Sequence, residues 1–312
     1  MSAILFPGQG SQTIGMGSEF FNSFSLVKKI FKEADEKLEY PISKIILEGP
    51  SDELQLTKNT QPAILTVSYS IFKVLTEEFG FNYKSAKYFA GHSLGEYSAL
   101  VCSNSLNFND ALFLLNERGK AMQEAVPVGK GGMIAILGLA TEEIDDLIKN
   151  RNFNKICEIA NDNANGQVIV SGDIECIDSL QIFLKEKKIK SIPLKVSAPF
   201  HCSLMKPAAD QMSDKIKNTR FNNPSIQIVN NVTAKPETDS NEIKKLLIDQ
   251  IFSTVKWRES IIFMSEMGEQ NFVEIGPGKA LSGMVKRTLK NSNCFSINSI
   301  TDMKNFINES KK

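Results

Sequence analysis

Lys87-Tyr88-Phe89-Ala90-Gly91-His92-Ser93-Leu94-Gly95-Glu96-Tyr97-Ser98-Ala99-Leu100-Val101-Cys102 is the stretch on which the reading of this chain turns. Lys87–Ala90 is a short, largely apolar run that predicts a strand entering Gly91, and the residues from Leu94 to Cys102 predict a helix. Between them lies G-x-S-x-G, the pattern of a nucleophile elbow. A sharp strand-to-helix turn holds the serine in a strained conformation, and the flanking glycines let backbones pass closely. The Ser93 hydroxyl then projects at a helix N-terminus, where the dipole favours developing negative charge. The string alone is weak; the strand before it and the helix after it give it weight.

A serine hydroxyl is a poor nucleophile without a base. The chain contains two histidines, His92 and His201. His92 is adjacent to the serine on the elbow, so its side chain is expected to point elsewhere. That leaves His201, in Ser197-Ala198-Pro199-Phe200-His201-Cys202, as the base. The order Ser then His matches the hydrolase-like arrangement. For a third member, Asp210, Asp214 and Asp249 are all open on sequence. Alternatively, a backbone carbonyl orients the imidazole through Nδ1–H, which makes the pair a dyad.

The helix expected from an Asp110 cap to about Ala125 carries Leu114, Leu115 and Met122 at i−4, i−3 and i+4 from Arg118, placing the arginine on the buried face. A buried guanidinium is costly unless paired, and its fork fits a carboxylate. The partner is either an internal Asp or Glu, or the carboxylate of a substrate near Ser93.

Working outward, Ala3–Phe6 reads as a buried strand running into Pro7-Gly8-Gln9-Gly10-Ser11-Gln12, a Gly-rich turn without the GxxxxGK[ST] of a phosphate loop. Helical periodicity follows over Phe21–Leu38 and from about Pro62 to Phe79. After Pro127-Val128-Gly129-Lys130-Gly131-Gly132 the expected order is strand Met133–Leu137, helix Glu142–Arg151, strands Ile156–Ala160 and Val168–Ser171, helix Ile174–Lys187 and strand Ile192–Val196. This βαββαβ order is the ferredoxin-like pattern. It predicts a small subdomain over 128–197, inserted into an α/β core formed by 1–127 and 198–312. In the second part, a strand at Ile226–Asn230, helices near Glu242–Ile251 and Trp257–Met267 and a strand at Phe272–Ile275 are expected.

A length of 312 residues suits one large domain carrying a smaller one. With 42% hydrophobic and 23% charged residues the composition is that of a globular protein. Lys+Arg and Asp+Glu are both 36, so no broad electrostatic binding to nucleic acid or to an anionic membrane is expected. No stretch approaches the roughly 18 apolar residues of a membrane span, and the start lacks a signal peptide's basic and apolar regions. Five scattered cysteines without CxxC spacing predict reduced thiols in the cytoplasm. Neither these nor the two histidines suggest a catalytic metal.

Taken together, several segments resemble the malonyl-CoA:acyl-carrier-protein transacylases of bacterial-type fatty acid synthesis, over nearly the whole chain. They are Phe6-Pro7-Gly8-Gln9-Gly10-Ser11-Gln12, Thr60-Gln61-Pro62-Ala63, Gly91-His92-Ser93-Leu94-Gly95-Glu96, Arg118-Gly119-Lys120-Ala121-Met122-Gln123, Gly166-Gln167-Val168, Pro199-Phe200-His201, Asn230-Asn231-Val232 and Glu274-Ile275-Gly276-Pro277-Gly278. The resemblance implies an α/β-hydrolase-like core with a ferredoxin-like insertion. It also implies a ping-pong transfer of malonyl from malonyl-CoA through a Ser93 ester to the phosphopantetheine of acyl carrier protein. Coenzyme A and phosphopantetheine are then parts of substrates, and no cofactor is implied. His201 would move the proton, the Gln9 and Leu94 N–H groups would form the oxyanion hole, and Arg118 would bind the malonyl carboxylate. The Gln250 main-chain carbonyl would hold His201. Phe200 would favour malonyl over methylmalonyl, a pocket-size effect of roughly 1–3 kcal/mol.

Asp162 and Asn163 lie in a segment that reaches toward the cleft and are not counted as sites. An acidic carrier protein calls for a basic docking patch; Lys187, Lys188, Lys190 and Lys195 form one candidate and Lys286, Arg287 and Lys290 another. A monomer is expected. Rival readings are a serine hydrolase, which has no need of Arg118, a non-catalytic carrier-docking module, and a malonyl transferase serving a polyketide synthase or malonate decarboxylase.

Overall fold

The computed structural model describes residues 2–151, 153–196 and 198–310. Two sheets organise them. Strands β1 (Ala3–Phe6) and β2 (Tyr88–Gly91) are buried at every residue, as expected of parallel strands covered on both faces. The second sheet uses β3 (Gly131–Leu137), β4 (Cys157–Ala164), β5 (Gln167–Asp173) and β6 (Lys190–Pro193). The chain then returns with β7 (Gln227–Val229), β8 (Pro236–Glu237), β9 (Asn271–Ile275) and β10 (Asn293–Ile297). The larger sheet has the order β10-β9-β1-β2-β7-β8, parallel except for β8. The smaller has the order β4-β5-β3-β6 and is antiparallel throughout.

β1 and β2 run in register, with Phe6 opposite Gly91. Their C-terminal ends therefore deliver Pro7-Gly8-Gln9 and His92-Ser93-Leu94 to the same edge of the sheet, where α/β folds bind ligands. The helix after the elbow, Gly95–Cys102, is buried along its whole length, Glu96 and Ser98 included. The smaller sheet is built by residues between Gly131 and Pro193, inside the expected 128–197 span. Ser197, the expected boundary, lies outside the described residues.

Several boundaries differ from the sequence reading for local reasons. The helix expected over Phe21–Leu38 is two, Ser18–Ser23 and Ser25–Leu38, divided at Phe24 by an extended backbone (φ −125°, ψ 124°). After two short helices, Ile42–Glu48 and Ser51–Gln55, the helix expected from about Pro62 to Phe79 runs Thr57–Lys73, with Pro62 inside it. Proline cannot donate to the carbonyl four residues back, and that carbonyl, of Lys58, instead accepts from Asn116 Nδ2 at 3.1 Å. The Arg118 helix runs Phe108–Glu124; Asn107 caps it by accepting from Asn109 N, and Asp110 lies in its first turn. β4 continues past Ala160 to Ala164 through two register shifts. Asp162 N–H donates to Val255 O and Val255 N–H to Ala160 O, so pairing with the chain beyond the smaller sheet extends a strand whose polar Asn161-Asp162-Asn163 run gave no strand signal. Helices Lys206–Asn218, Ala280–Thr288 and Ile300–Ser310, and strand β10, were not read from the sequence.

The elbow depends on missing side chains. A Cβ on Gly91 would lie 1.9 Å from the Gly95 carbonyl, and one on Gly95 would lie 2.2 Å from Phe6 O. Gly91→Ala is therefore expected to destabilise the protein by at least about 1–3 kcal/mol. Gly283→Ala, in a helix where a Cβ meets nothing within 4 Å, should stabilise it by about 0.5–1 kcal/mol. Denaturant midpoints of the two variants check the contrast; equal midpoints would contradict it.

Candidate active site

Ser93 stands at the turn between β2 and the buried helix with φ 53°, the left-handed region. Asn231, just beyond β7, braces the turn on both sides: its Oδ1 accepts Ser93 N–H at 2.7 Å and its Nδ2 donates to Gly91 O at 2.8 Å. Ser93 Oγ lies 2.8 Å from His201 Nε2, and His201 Nδ1 lies 2.9 Å from Gln250 O. A carbonyl only accepts, so Nδ1 carries the proton and Nε2 presents its lone pair to the serine. Asp210, Asp214 and Asp249 are exposed; a main-chain carbonyl occupies the place kept open for them.

His201 is 5% exposed. Burial, followed by the positive charge of Arg118, pushes its pKa down to about 3, so the resting imidazole is neutral and able to take a proton. Its loop is tied to the smaller sheet. Glu158 of β4 accepts from Ser203 N–H at 2.8 Å and from Ser203 Oγ at 2.6 Å.

Arg118 is 1% exposed. Its Nη1 donates to Gln61 Oε1 at 2.8 Å; its Nη2 donates to Gln250 Oε1 at 2.9 Å and to Ser93 Oγ at 3.2 Å. The guanidinium also lies 5.8 Å from the Tyr97 ring centroid. No ion pair to Arg118 occurs among the described residues. The internal Asp or Glu weighed from the sequence is absent there, and amide oxygens take its place.

Two further residues join the network without having been singled out. Glu96, 2% exposed, accepts from Asn231 N–H at 3.0 Å and from Gln250 Nε2 at 2.8 Å; burial lifts its pKa to about 7. A single carboxylate in the apolar Leu94–Cys102 run was the available signal. Asn231 left only its place in Asn230-Asn231-Val232. His92 turns away from Ser93 as expected, with Nε2 2.8 Å from Asn163 Oδ1 and its ring 5.5 Å from Trp257. Burial pushes its pKa down. Asn163 thus links the smaller sheet to the elbow. Asp162 accepts from Arg258 Nε at 2.9 Å, a second link.

Part of this network, with Glu96, Asn231 and Gln250 behind it, lines one cavity of about 290 Å³. Gln9, Leu94, Ser93, Arg118 and His201 form its polar side, and Met122, Met133, Leu194, Phe200 and Met284 its apolar walls. The basic residues Lys187, Lys188, Lys190, Lys195, Lys286, Arg287 and Lys290 are exposed. Lys195 stands between the lining residues Leu194 and Val196, and Lys286 follows the lining Met284 by two positions. The arrangement is a buried serine with a neutral base and a carboxylate-free guanidinium beside it.

Residues 4–309 match the family described as acyl transferase domain. The malonyl CoA-acyl carrier protein transacylase of Haemophilus influenzae is 41% identical over 96% of this chain and 95% of its own. The Bacillus subtilis protein of the same name is 42% identical over 91% and 89%. Among solved structures, the acyl-carrier-protein-S-malonyltransferase of Bartonella henselae has a TM-score of 0.96 at 37% identity, covering 100% of both chains. A malonyl-transacylase in complex with its type II PKS acyl-carrier protein has a TM-score of 0.94 at 38% identity, over 98% of this chain and 99% of that one. The chain is an acyltransferase and belongs to the malonyl CoA-acyl carrier protein transacylase family.

Proposed function

We propose that this protein transfers a malonyl group from malonyl-CoA to the phosphopantetheine thiol of an acyl carrier protein, through a Ser93 ester, in fatty acid biosynthesis. The observation that carries the reading is Arg118: a buried guanidinium without a carboxylate partner among the described residues, 3.2 Å from the candidate nucleophile. Such a group suits an acyl chain that ends in a carboxylate, and the names of the relatives specify that chain as malonyl.

In the first half-reaction Ser93 Oγ attacks the thioester carbonyl while His201 Nε2 takes its proton. Gln250 O holds Nδ1–H and stabilises the imidazolium. The Gln9 and Leu94 N–H groups donate hydrogen bonds to the carbonyl oxygen as negative charge develops on it. Collapse of the tetrahedral intermediate breaks the C–S bond, and His201 returns the proton to the departing coenzyme A thiolate. In the second half the phosphopantetheine thiol gives its proton to His201 and attacks the ester carbonyl; collapse breaks the bond from the acyl carbon to Ser93 Oγ, His201 returns the proton to that oxygen, and malonyl-carrier leaves. No cofactor enters either half. Phe200 in the wall supports a preference for malonyl over a branched acyl group.

The larger sheet is read as an α/β-hydrolase-like core contributed by 1–127 and 198–312, and 128–197 as a ferredoxin-like subdomain; the β4-β5-β3-β6 order with two intervening helices supports the second assignment. One residue of each basic patch, Lys195 and Lys286, lies within two positions of a residue that lines the cavity, and the two patches are read as candidate docking surfaces for the acidic carrier.

Incubation with malonyl-CoA followed by intact mass and peptide mapping should place one malonyl group on Ser93. Arg118→Ala should lower the rate of malonyl labelling about 10²-fold, as loss of a charged, bidentate contact implies, and lower acetyl labelling from acetyl-CoA far less. An unchanged malonyl preference in that variant would remove the carboxylate reading, and the absence of a Ser93 adduct in the wild type would remove the acyl-enzyme itself. The depressed pKa of His201 gives a separate expectation. A base is active above its pKa, so labelling by acetyl-CoA should show no fall between pH 7.5 and 5, where an ordinary histidine would lose its lone pair near 6.5. A falling limb centred at 6 to 7 would contradict the environment described for His201.

A further inference from the structure

Gln250 serves the site twice, through its main-chain oxygen on His201 and through its side chain on Arg118. Only the side chain has a choice of orientation. Half a turn of a terminal amide exchanges oxygen for nitrogen with almost no change of shape, and its neighbours decide which is favoured. With Oε1 toward Arg118 the pair is a hydrogen bond at 2.9 Å; reversed, two donors would face each other. The far end of the amide selects between these states. Nε2 donates to Glu96 Oε2 at 2.8 Å, the shortest of its contacts, to Ser93 O at 3.1 Å and to Asn231 Oδ1 at 3.3 Å, an oxygen already taken by Ser93 N–H. Ser93 O is shared, because it also accepts Glu96 N–H at 3.0 Å. Glu96 Oε2 is itself fixed, by Asn231 N–H at 3.0 Å. Both Glu96 and Gln250 are buried, so the amide is enclosed within this set of partners.

We infer that Glu96 is a positioning residue for recognition of the acyl carboxylate: by accepting from Gln250 Nε2 it turns Gln250 Oε1 to Arg118, which aims the guanidinium at the acyl group on Ser93. The inference rests on the reading of Arg118 as a carboxylate clamp. Glu96 touches no reacting atom and acts through Gln250. Gln61 Oε1 holds Nη1 of the same guanidinium at 2.8 Å, so amide oxygens fix both terminal nitrogens while Nη2 also reaches Ser93 Oγ. The role requires an acceptor at Oε2 rather than a full charge. With the carboxyl at about 7, a proton on Oε1 still leaves Oε2 free to accept.

This requirement separates three variants. Glu96→Gln keeps an oxygen for Asn231 N–H and Gln250 Nε2 but loses the charge. Glu96→Asp keeps the charge but is one methylene short, and Glu96→Met keeps the bulk with no acceptor. The quantity to measure is the ratio of second-order rates of Ser93 labelling by malonyl-CoA and acetyl-CoA, followed by quenched intact-mass time courses on the full chain. The Gln variant should hold the wild-type ratio within about threefold, while Asp and Met should each lose about tenfold or more of it, the scale of a charged hydrogen bond. If both rates fall together in Asp and Met, Glu96 only maintains the elbow and the inference is overturned. It is likewise overturned if no variant moves the ratio, or if Gln loses as much as Asp. Should the Met variant not fold, as judged by its melting curve, the Asp and Gln pair decides. A wild type that takes both acyl groups equally would remove the Arg118 reading and this inference with it. A wild type that prefers malonyl, with an Asp variant that still does so, removes the inference alone.

Discussion

Ser93 N–H donating to Asn231 Oδ1 at 2.7 Å is the contact around which the site is assembled. Ser93 has a left-handed backbone that costs a residue with a Cβ roughly 1–2 kcal/mol, and such a conformation persists only where its surroundings over-determine it. Asn231 closes both sides of the turn, taking the Ser93 amide and giving to Gly91 O. Gly91 and Gly95 approach within a distance no side chain would allow, and Gly95 also meets the end of β1 at Phe6 O. Gly8 does the same against His92 O, 2.5 Å from where its Cβ would be. Two strand ends, a helix start and the segment after β7 are thereby drawn to one point, and Gln9, Leu94 and Ser93 share one cavity as a result.

The base arrives differently. His201 follows the smaller sheet in the chain, and its position depends on that sheet. Glu158 of β4 holds Ser203, two residues past His201. Asn163 meets His92 and Asp162 meets Arg258, so the polar end of β4 fastens the sheet beside the elbow. The bulged register of β4 is what turns these successive polar residues toward the larger sheet's partners. The nucleophile thus follows a strand of the larger sheet while the loop of the base is tied to the smaller one, and their 2.8 Å contact depends on the packing between those sheets.

How much of this could be read from the chain follows the range of the interactions. Ser93 was legible because the glycines that permit its conformation are within two residues of it, and His201 because the chain offers one other histidine. Arg118 was legible through helical periodicity, which placed it on an apolar face. The limits of the helices moved where one local contact outweighed the pattern: Asn107 caps ahead of Asp110, and Asn116 satisfies the carbonyl that Pro62 leaves open. Glu96, Asn231 and Asn163 were not legible as site residues. Their roles consist of hydrogen bonds to partners 71 to 154 positions away, and an amide or carboxylate in a sequence gives no sign of such a partner.

A buried arginine without a carboxylate is an unusual outcome of folding, because an uncompensated charge in the interior is strongly unfavourable. Here the compensation is partial. Gln61 and Gln250 offer oxygen dipoles, Tyr97 offers a ring face, and Arg118 Nε has no hydrogen-bond partner among the described residues. Glu96 stands one amide further back, and burial lifts its pKa to about 7. Replacing Gln61 or Gln250 by an acid would satisfy Arg118 fully and leave it nothing to bind. The amides hold the guanidinium in place while keeping its charge largely uncancelled, and that charge adds to the larger effect of burial in holding down the pKa of His201. On the proposed function, a carboxylate-bearing acyl group would reverse both conditions at once: it would neutralise Arg118, and by doing so make the adjacent imidazole easier to protonate when Ser93 gives up its proton.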